Sequence, residues 1–179
     1  MFVSTLFFGL NLKNNIEDKS MSNPAHLWLV DENGSPIVGS CVMPARLGSI
    51  ELRSVSHHVW LPTDPNTGKL TATRLHTPLK IQKEFDRTTP LLFRALCEGR
   101  ILKKATLKMY QTNDAGIEVE YFNIVMQNVK ITAIAPNLHP GGVTSTHLED
   151  IELRYETIIW KYTEGNILYE DSWSNYVIA

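Results

Sequence analysis

Residues 57–99 read HHVWLPTDPNTGKLTATRLHTPLKIQKEFDRTTPLLFRALCEG, and this stretch decides the fold. It begins as a strand through Val59 and Leu61, then opens into a polar excursion carrying Pro62, Asp64, Pro65 and Gly68. A second strand returns over residues 75–85. There Leu79, Ile81 and Phe85 alternate with Lys80, Gln82 and Glu84, the period of a half-buried strand. A short helix follows. Thr89 is placed to accept a hydrogen bond from a free N–H at its start, and Pro90 presets the first helical φ. Leu91, Leu92, Ala95 and Leu96 supply an apolar face, and Gly99 supplies the stop at positive φ.

Working outward, everything else reads as strand. Residues 26–30 form a short apolar run closed by the turn cluster Asp31-Glu32-Asn33-Gly34-Ser35-Pro36. Residues 37–42 read as a second strand, broken over residues 44–48. Ile50 and Leu52 then share a parity that Val55, Val59 and Leu61 do not. A slip of that kind marks a bulge, a bend or a strand that changes sheet. On the other side, Leu107 and Met109 alternate with polar neighbours up to the turn Asn113-Asp114-Ala115-Gly116. That turn predicts a hairpin into a strand over residues 117–126. Residues 129–134 predict a further strand, 135–146 a loop, 151–162 the longest strand and 167–169 a last short one. With one helix, no βαβ rhythm and no repeat, the fold class is mainly β: a barrel or two-sheet sandwich with one short α-helix and a long extended loop.

The 179 residues suffice for one well-cored domain. We place a loose extension at residues 1–23 and the barrel domain at residues 24–179. The apolar run MFVSTLFFGL lacks a preceding Lys or Arg and a small-residue cleavage site, so it is read as an extension, with Met21 an alternative start, rather than as a signal peptide. A formal charge of -2 gives no bias toward nucleic acid or an anionic membrane, and no membrane insertion is expected. Cys41 and Cys97 stand in no metal or redox spacing, and Cys97 reads as a buried thiol beside Ala95 and Leu96.

Site chemistry is absent from the pattern. His57 and His58 are adjacent, so on a strand they point to opposite faces and cannot share a metal ion. His76, His139 and His147 are scattered. No GxSxG elbow, phosphate loop or dinucleotide fingerprint occurs, and Gly141-Gly142 reads as a loop tip. Glu118 and Glu120 share a strand face, a pairing that suits acid–base work but reads more economically as a solvated hairpin face. No catalytic residue, cofactor or metal is assigned. Trp28, Trp60 and Trp160 read as packing residues, while Trp173 and Tyr176 mark a tail that must dock or bind.

The excursion after Leu61 stands out. Its prolines stiffen it, and a defined projection from a β domain without catalytic apparatus points to assembly. Residues His58, Trp60, Pro62, Thr63, Asp64, Pro65, Asn66, Thr67, Gly68, Lys69, Thr71 and Arg74 form the candidate subunit interface.

Three segments carry a family resemblance: residues 59–68 (VWLPTDPNTG), residues 74–78 (RLHTP) and residues 89–96 (TPLLFRAL). Together with GRIL at 99–102, LKMY at 107–110, ELRY at 152–155 and Ile159-Trp160, they resemble the haemolysin-coregulated proteins, tube-forming components of type VI secretion systems. The likeness runs from Ala25 to Trp173; members of that family commonly carry Gly where Ala72 stands and Lys where Thr77 stands. It implies a barrel of two sheets, similar to phage tail-tube proteins, that assembles as a homo-hexameric ring. Such rings stack into a tube propelled by a contractile sheath behind spike proteins, and the lumen can hold effector proteins. The implied location is cytoplasmic before assembly and extracellular afterwards, without a cleaved signal peptide. The resemblance also places the extended loop against neighbouring subunits and rings. A stand-alone secreted ligand-binding or adhesive β-sandwich, using the aromatic tail or the 135–146 loop, is the competing expectation.

Overall fold

A computed structural model describes residues 23–138 and 147–173. The expectations for residues 1–22, for Gly141-Gly142, His139 and most of their loop, and for Tyr176 lie outside these. The described chain forms β1 (Ala25–Val30), β2 (Pro36–Ile37), β3 (Ile50–Leu52), β4 (Ser54–Ser56), β5 (Val59–Trp60), β6 (Leu75–His76) and β7 (Leu79–Glu84). After these come α1 (Thr89–Cys97), β8 (Leu102–Thr112), β9 (Glu118–Leu138), β10 (His147–Arg154), β11 (Thr157–Tyr162) and β12 (Ile167–Ser172).

All pairings are antiparallel. One run of neighbours goes β1-β8-β9-β10-β7. Its two ends meet on one stretch of chain: β3 pairs with β1, through Leu27 opposite Ile50, and β4 pairs with β7, through Val55 opposite Ile81. Arg53, between them, already donates its backbone N–H to Gln82. The parity slip read at Leu52–Val55 is therefore a strand changing sheet, and the change closes a barrel. Closure pairs the β1 and β7 edges that an open sheet would leave free.

Several predicted boundaries are corrected, among them the start of the 135–146 loop, since β9 runs on to Leu138, and the 151–162 strand, since β10 begins at His147. Residues 117–126 and 129–134 are not two strands but the single long β9. Between them Asn128 takes φ 50, a left-handed conformation that Asn tolerates, and it bends the strand without turning it. Conversely, residues 151–162 are not one strand. Tyr155 and Glu156 separate β10 from β11, and at that corner the outer neighbour changes from β7 to β12. Both lie along the same side of β9, β10 on its C-terminal half and β11 on its N-terminal half.

The interior is apolar, with Leu27, Ile50, Leu79, Leu102, Leu107, Met126, Ile151, Leu153 and Ile158 all nearly solvent-free. Helix α1 plugs it with Leu92 and Ala95, while Leu91 stays exposed. Gly99 ends the helix at φ 66 as expected. The helix start differs. Thr88 occupies the cap position and makes no side-chain cap bond. The Thr89 hydroxyl instead accepts from the Asp86 N–H at 3.2 Å and donates to Glu149 at 2.9 Å. A buried charge drew it away. Lys83, fully buried on β7, meets Glu149 at 2.6 Å, Asp86 at 2.8 Å and Thr89 at 3.2 Å. Lys83 shares the parity of Leu79 and Ile81 and so points inward, anchoring the helix entry to the sheet.

Residues 37–42 are not a strand beyond Ile37. The chain instead folds back, with Gly39 donating to the Gly48 carbonyl at 2.7 Å. A Cβ on Gly39 would lie 2.2 Å from the Ser49 carbonyl oxygen, so only glycine allows this approach. Cys97 is exposed, not buried, because it lies on the helix face away from Leu92 and Ala95.

Removing one partner of the buried pair leaves the other charge stranded. Lys83→Ala is expected to lower unfolding stability in urea by about 3–5 kcal/mol. The joint replacement Lys83→Met with Glu149→Leu should recover most of that loss.

Candidate functional site: the projecting arm and its base

Residues 57–78 leave the barrel as a two-stranded arm. Its root is the β5–β6 pair, with Val59 opposite His76 and Trp60 opposite Leu75. Further out, Thr63 bridges Leu70, and Thr71 donates to the Pro62 carbonyl at 2.9 Å. The tip turns on Asp64, whose Oδ1 accepts from the Asn66 N–H at 3.0 Å, the Thr67 N–H at 2.8 Å and the Thr67 hydroxyl at 2.9 Å. Those bonds from Thr67 and Asn66 hold its carboxyl below the ordinary carboxylate range. Gly68 completes the turn at φ 69. This is a side-chain-stapled turn, self-contained and rigid.

The structure brings the sequence-assigned residues together in one element. His58, Trp60, Thr63, Pro65, Asn66, Thr67, Gly68, Lys69 and Thr71 are exposed, and Pro62, Asp64 and Arg74 are half-buried. Trp60 is not a core residue. It lies on the arm, with the His58 ring stacked on it at 4.9 Å between centroids. Val59, Leu61, Leu70 and Leu75 add exposed apolar surface to the same arm. Their exposure runs from 38% at Leu75 to 60% at Leu70.

Below the arm lies a polar cluster that the sequence reading did not assemble. His57 and His58 point to opposite faces, as expected, and His57 goes inward. Arg74 binds both carboxylate oxygens of Asp171 on β12 and donates to the Ser172 carbonyl at 2.9 Å. His76 Nε2 lies 3.0 Å from Asp171, and its Nδ1 lies 2.6 Å from the Tyr155 hydroxyl, which is 2.8 Å from His57 Nε2. Since the carboxylate only accepts, the direction of each bond follows for neutral rings. His76 Nε2–H donates to Asp171, Tyr155 O–H donates to His76 Nδ1, and His57 Nε2–H donates to Tyr155. Trp160 and Trp173 pack against the His76 ring. Trp173 thus docks.

Burial pushes both imidazoles below the ordinary histidine value. At His57 the neighbouring His76 and His58 add to the effect. At His76 burial outweighs the pull of Asp171, and Arg74 and Arg154 act with burial. Burial drives the Tyr155 phenol up, so it stays protonated. Burial also works to raise Asp171, but the Arg74 bonds and charge prevail and hold it low. A hint was available: Arg74 and His76 alternate with Leu75, an inward pairing for a segment otherwise read as exposed.

Elsewhere the acid–base candidate dissolves into structure. Glu118 is ion-paired to the buried Arg46, and Glu120 to Lys108 at 2.8 Å. Arg46 also donates to His26 Nε2 at 3.1 Å and lies 4.0 Å above the Tyr110 ring. Among the described residues no group of His, Cys, Asp and Glu is placed to hold a metal ion, and no helix is long and apolar enough to cross a membrane.

Comparison with known proteins gives one consistent answer. The family model described as "Type VI secretion system effector, Hcp" matches residues 27–162. The "Major exported protein" of Pseudomonas aeruginosa is 32% identical over 144 residues, covering 78% of this chain and 84% of the relative. An Hcp1 structure from E. coli EAEC 042 is 47% identical with a TM-score of 0.79, covering 85% of this chain and 99% of that one. The secreted Hcp3 of P. aeruginosa is 25% identical with a TM-score of 0.72, over 85% and 99% of the two chains.

Two substitutions separate the arm from its base. Asp64→Ala should leave barrel stability unchanged while amide exchange at Asn66 and Thr67 speeds up. Tyr155→Phe removes the hydroxyl shared by both imidazoles and should cost about 2 kcal/mol in urea unfolding.

Proposed function

The chain belongs to the Hcp family of type VI secretion system proteins, and from that premise we propose that it is a structural tube subunit that is exported by such a system. It assembles as homo-hexameric rings, the rings stack into a tube inside the contractile sheath and behind the spike, and effector proteins travel in the lumen. It is made in the cytoplasm and leaves with the tube. The arm is its inter-ring contact, made by His58, Trp60, Thr63, Pro65, Asn66, Thr67, Lys69 and Thr71.

One observation carries this reading. The arm is ordered by its own hydrogen bonds, yet it presents Leu61, Leu70 and Leu75 to solvent. Beyond its root, a stapled projection that offers exposed apolar side chains suits a partner's surface, because little conformational entropy is lost when it docks. The barrel supports the same reading, since pairing of the β1 and β7 edges through residues 50–56 leaves most of the wall without a free edge. A stand-alone binding domain draws less support now that Trp173 is packed against His76.

The test is to replace residues 62–71 with a two-residue turn and image the purified protein by electron microscopy. Rings should persist while stacks are lost. Tubes as long as those of the unaltered protein would overturn the role of the arm, and a monomer at high concentration would overturn the ring.

A further inference from the structure

We propose that the base of the arm is a proton-operated latch: the chain His57–Tyr155–His76–Asp171 fixes the arm in its projecting pose when both imidazoles are neutral, and taking up two protons releases it. The proposal rests on the arm being the stacking element and adds a regulation of it.

The geometry supplies the argument. The arm leaves the barrel through His57 and returns through Arg74 and His76. Both roots are tied to fixed parts of the fold. His57 is held by Tyr155 at the β10–β11 corner, and Arg74 and His76 by Asp171 on β12. Arg154 at the same corner donates to the His76 carbonyl at 3.1 Å. The latch therefore spans three elements.

In the neutral state every hydrogen in the chain has one assigned acceptor. A first proton can be absorbed at His76 Nδ1 if the line reverses: His76 then donates to Tyr155, and Tyr155 donates to His57 Nε2, which gives up its hydrogen for one on Nδ1. A second proton has no such route. With both rings cationic, His76 and His57 each donate to the one phenol oxygen, and the phenol's own hydrogen loses its acceptor within the chain.

The surrounding charges oppose the second proton as well. The groups facing the two rings are Arg74 from the arm, Arg154 and Tyr155 from the corner, and Asp171 from β12, with His58 acting on His57 through space from the opposite face. One carboxylate thus faces two guanidinium groups before either ring is charged. The ring centroids of His57 and His76 are 5.8 Å apart, so two imidazolium charges repel at close range inside a half-buried site. Opening moves both rings into water and relieves the repulsion. The lowered affinity of both imidazoles for protons sets the sign. The open state binds protons more readily than the closed one, so the closed latch is fully stable above the ordinary histidine value and weakens as pH falls through it.

The experiment follows tubes of the full chain by sedimentation and electron microscopy between about pH 7.5 and pH 5. Alongside runs hydrogen exchange of the 57–77 backbone, corrected for its intrinsic pH dependence. The closed-to-open ratio should fall by up to about a hundredfold per pH unit, two protons' worth, over the range where the open state carries both protons and the closed state neither, with tubes giving way to intact rings and arm amides exchanging faster. His57→Gln keeps a donor toward Tyr155 but titrates no longer. Its dependence should flatten to about tenfold per unit. A flat profile for the unaltered protein, or an unchanged steepness in His57→Gln, would overturn the latch. So would rings dissociating in step with the tubes, since acid would then be attacking the barrel. If no tubes form at any pH, the stacking reading fails by itself, and arm exchange alone decides the latch by the same two steepness criteria.

Discussion

The constraint on which the structure depends is closure of the barrel through residues 50–56. One short stretch of chain must pair with β1 by its first half and with β7 by its second. A strand cannot do both without changing the face it turns inward. That is why Ile50 and Leu52 fill the interior on one parity and Val55 packs against the core on the other. Remove the crossing at Arg53 and the barrel becomes an open sheet with two long free edges. The same crossing fixes where the arm begins, because the chain leaves the wall immediately after β4.

Closure makes the interior continuous, and three polar groups of residues punctuate it. Each sits where separately built parts of the fold must be joined. Lys83, Glu149, Asp86 and Thr89 join the helix entry to β7 and β10. Arg46, His26, Ser49 and Glu118 join the 39–49 fold-back to β1 and β9, with Ser49 Oγ 2.9 Å from His26. Arg74, His76, Asp171, Tyr155 and His57 join the arm to β12 and the corner. Apolar contacts would hold these parts together in several orientations. A buried ion pair whose hydrogen bonds must all be met is far more selective among them, because a wrong orientation leaves a charge stranded. The polar groups thus contribute orientation more than net stability.

What was legible in the sequence follows from which signals are local. The turn at Asn113–Gly116, the Gly99 stop, the parity slip and the stiff polar arm are all set by neighbours within a few residues. Each is found where the pattern placed it. The three polar groups were not legible, because each depends on an acid 60 or more residues from its partner along the chain: Glu149, Glu118 and Asp171. The capping bond predicted at Thr89 failed for a related reason: the buried Glu149, 60 positions away, and the Lys83 paired with it competed for the hydroxyl. The helical face of Cys97 was misread because three apolar neighbours in a row do not share one face at 3.6 residues per turn. Asn128 offered no turn partner, so one long bent strand looked like two.

The arm joins these levels. Its tip owes its shape to local chemistry alone, the Asp64 carboxylate stapling Asn66 and Thr67. Its direction owes nothing to the tip and everything to the base, where Arg74 and His76 are held by a β12 residue almost a hundred positions away. A hairpin of two paired residues per strand is marginal in water by itself, so without the base the arm would keep its turn and lose its bearing. In the proposed stacking role all arms of a ring must point alike, since one misdirected arm would keep the next ring from seating. Rigidity at the tip is therefore of use only if the orientation at the root is equally well fixed. The densest set of buried polar contacts below the arm is found at that root.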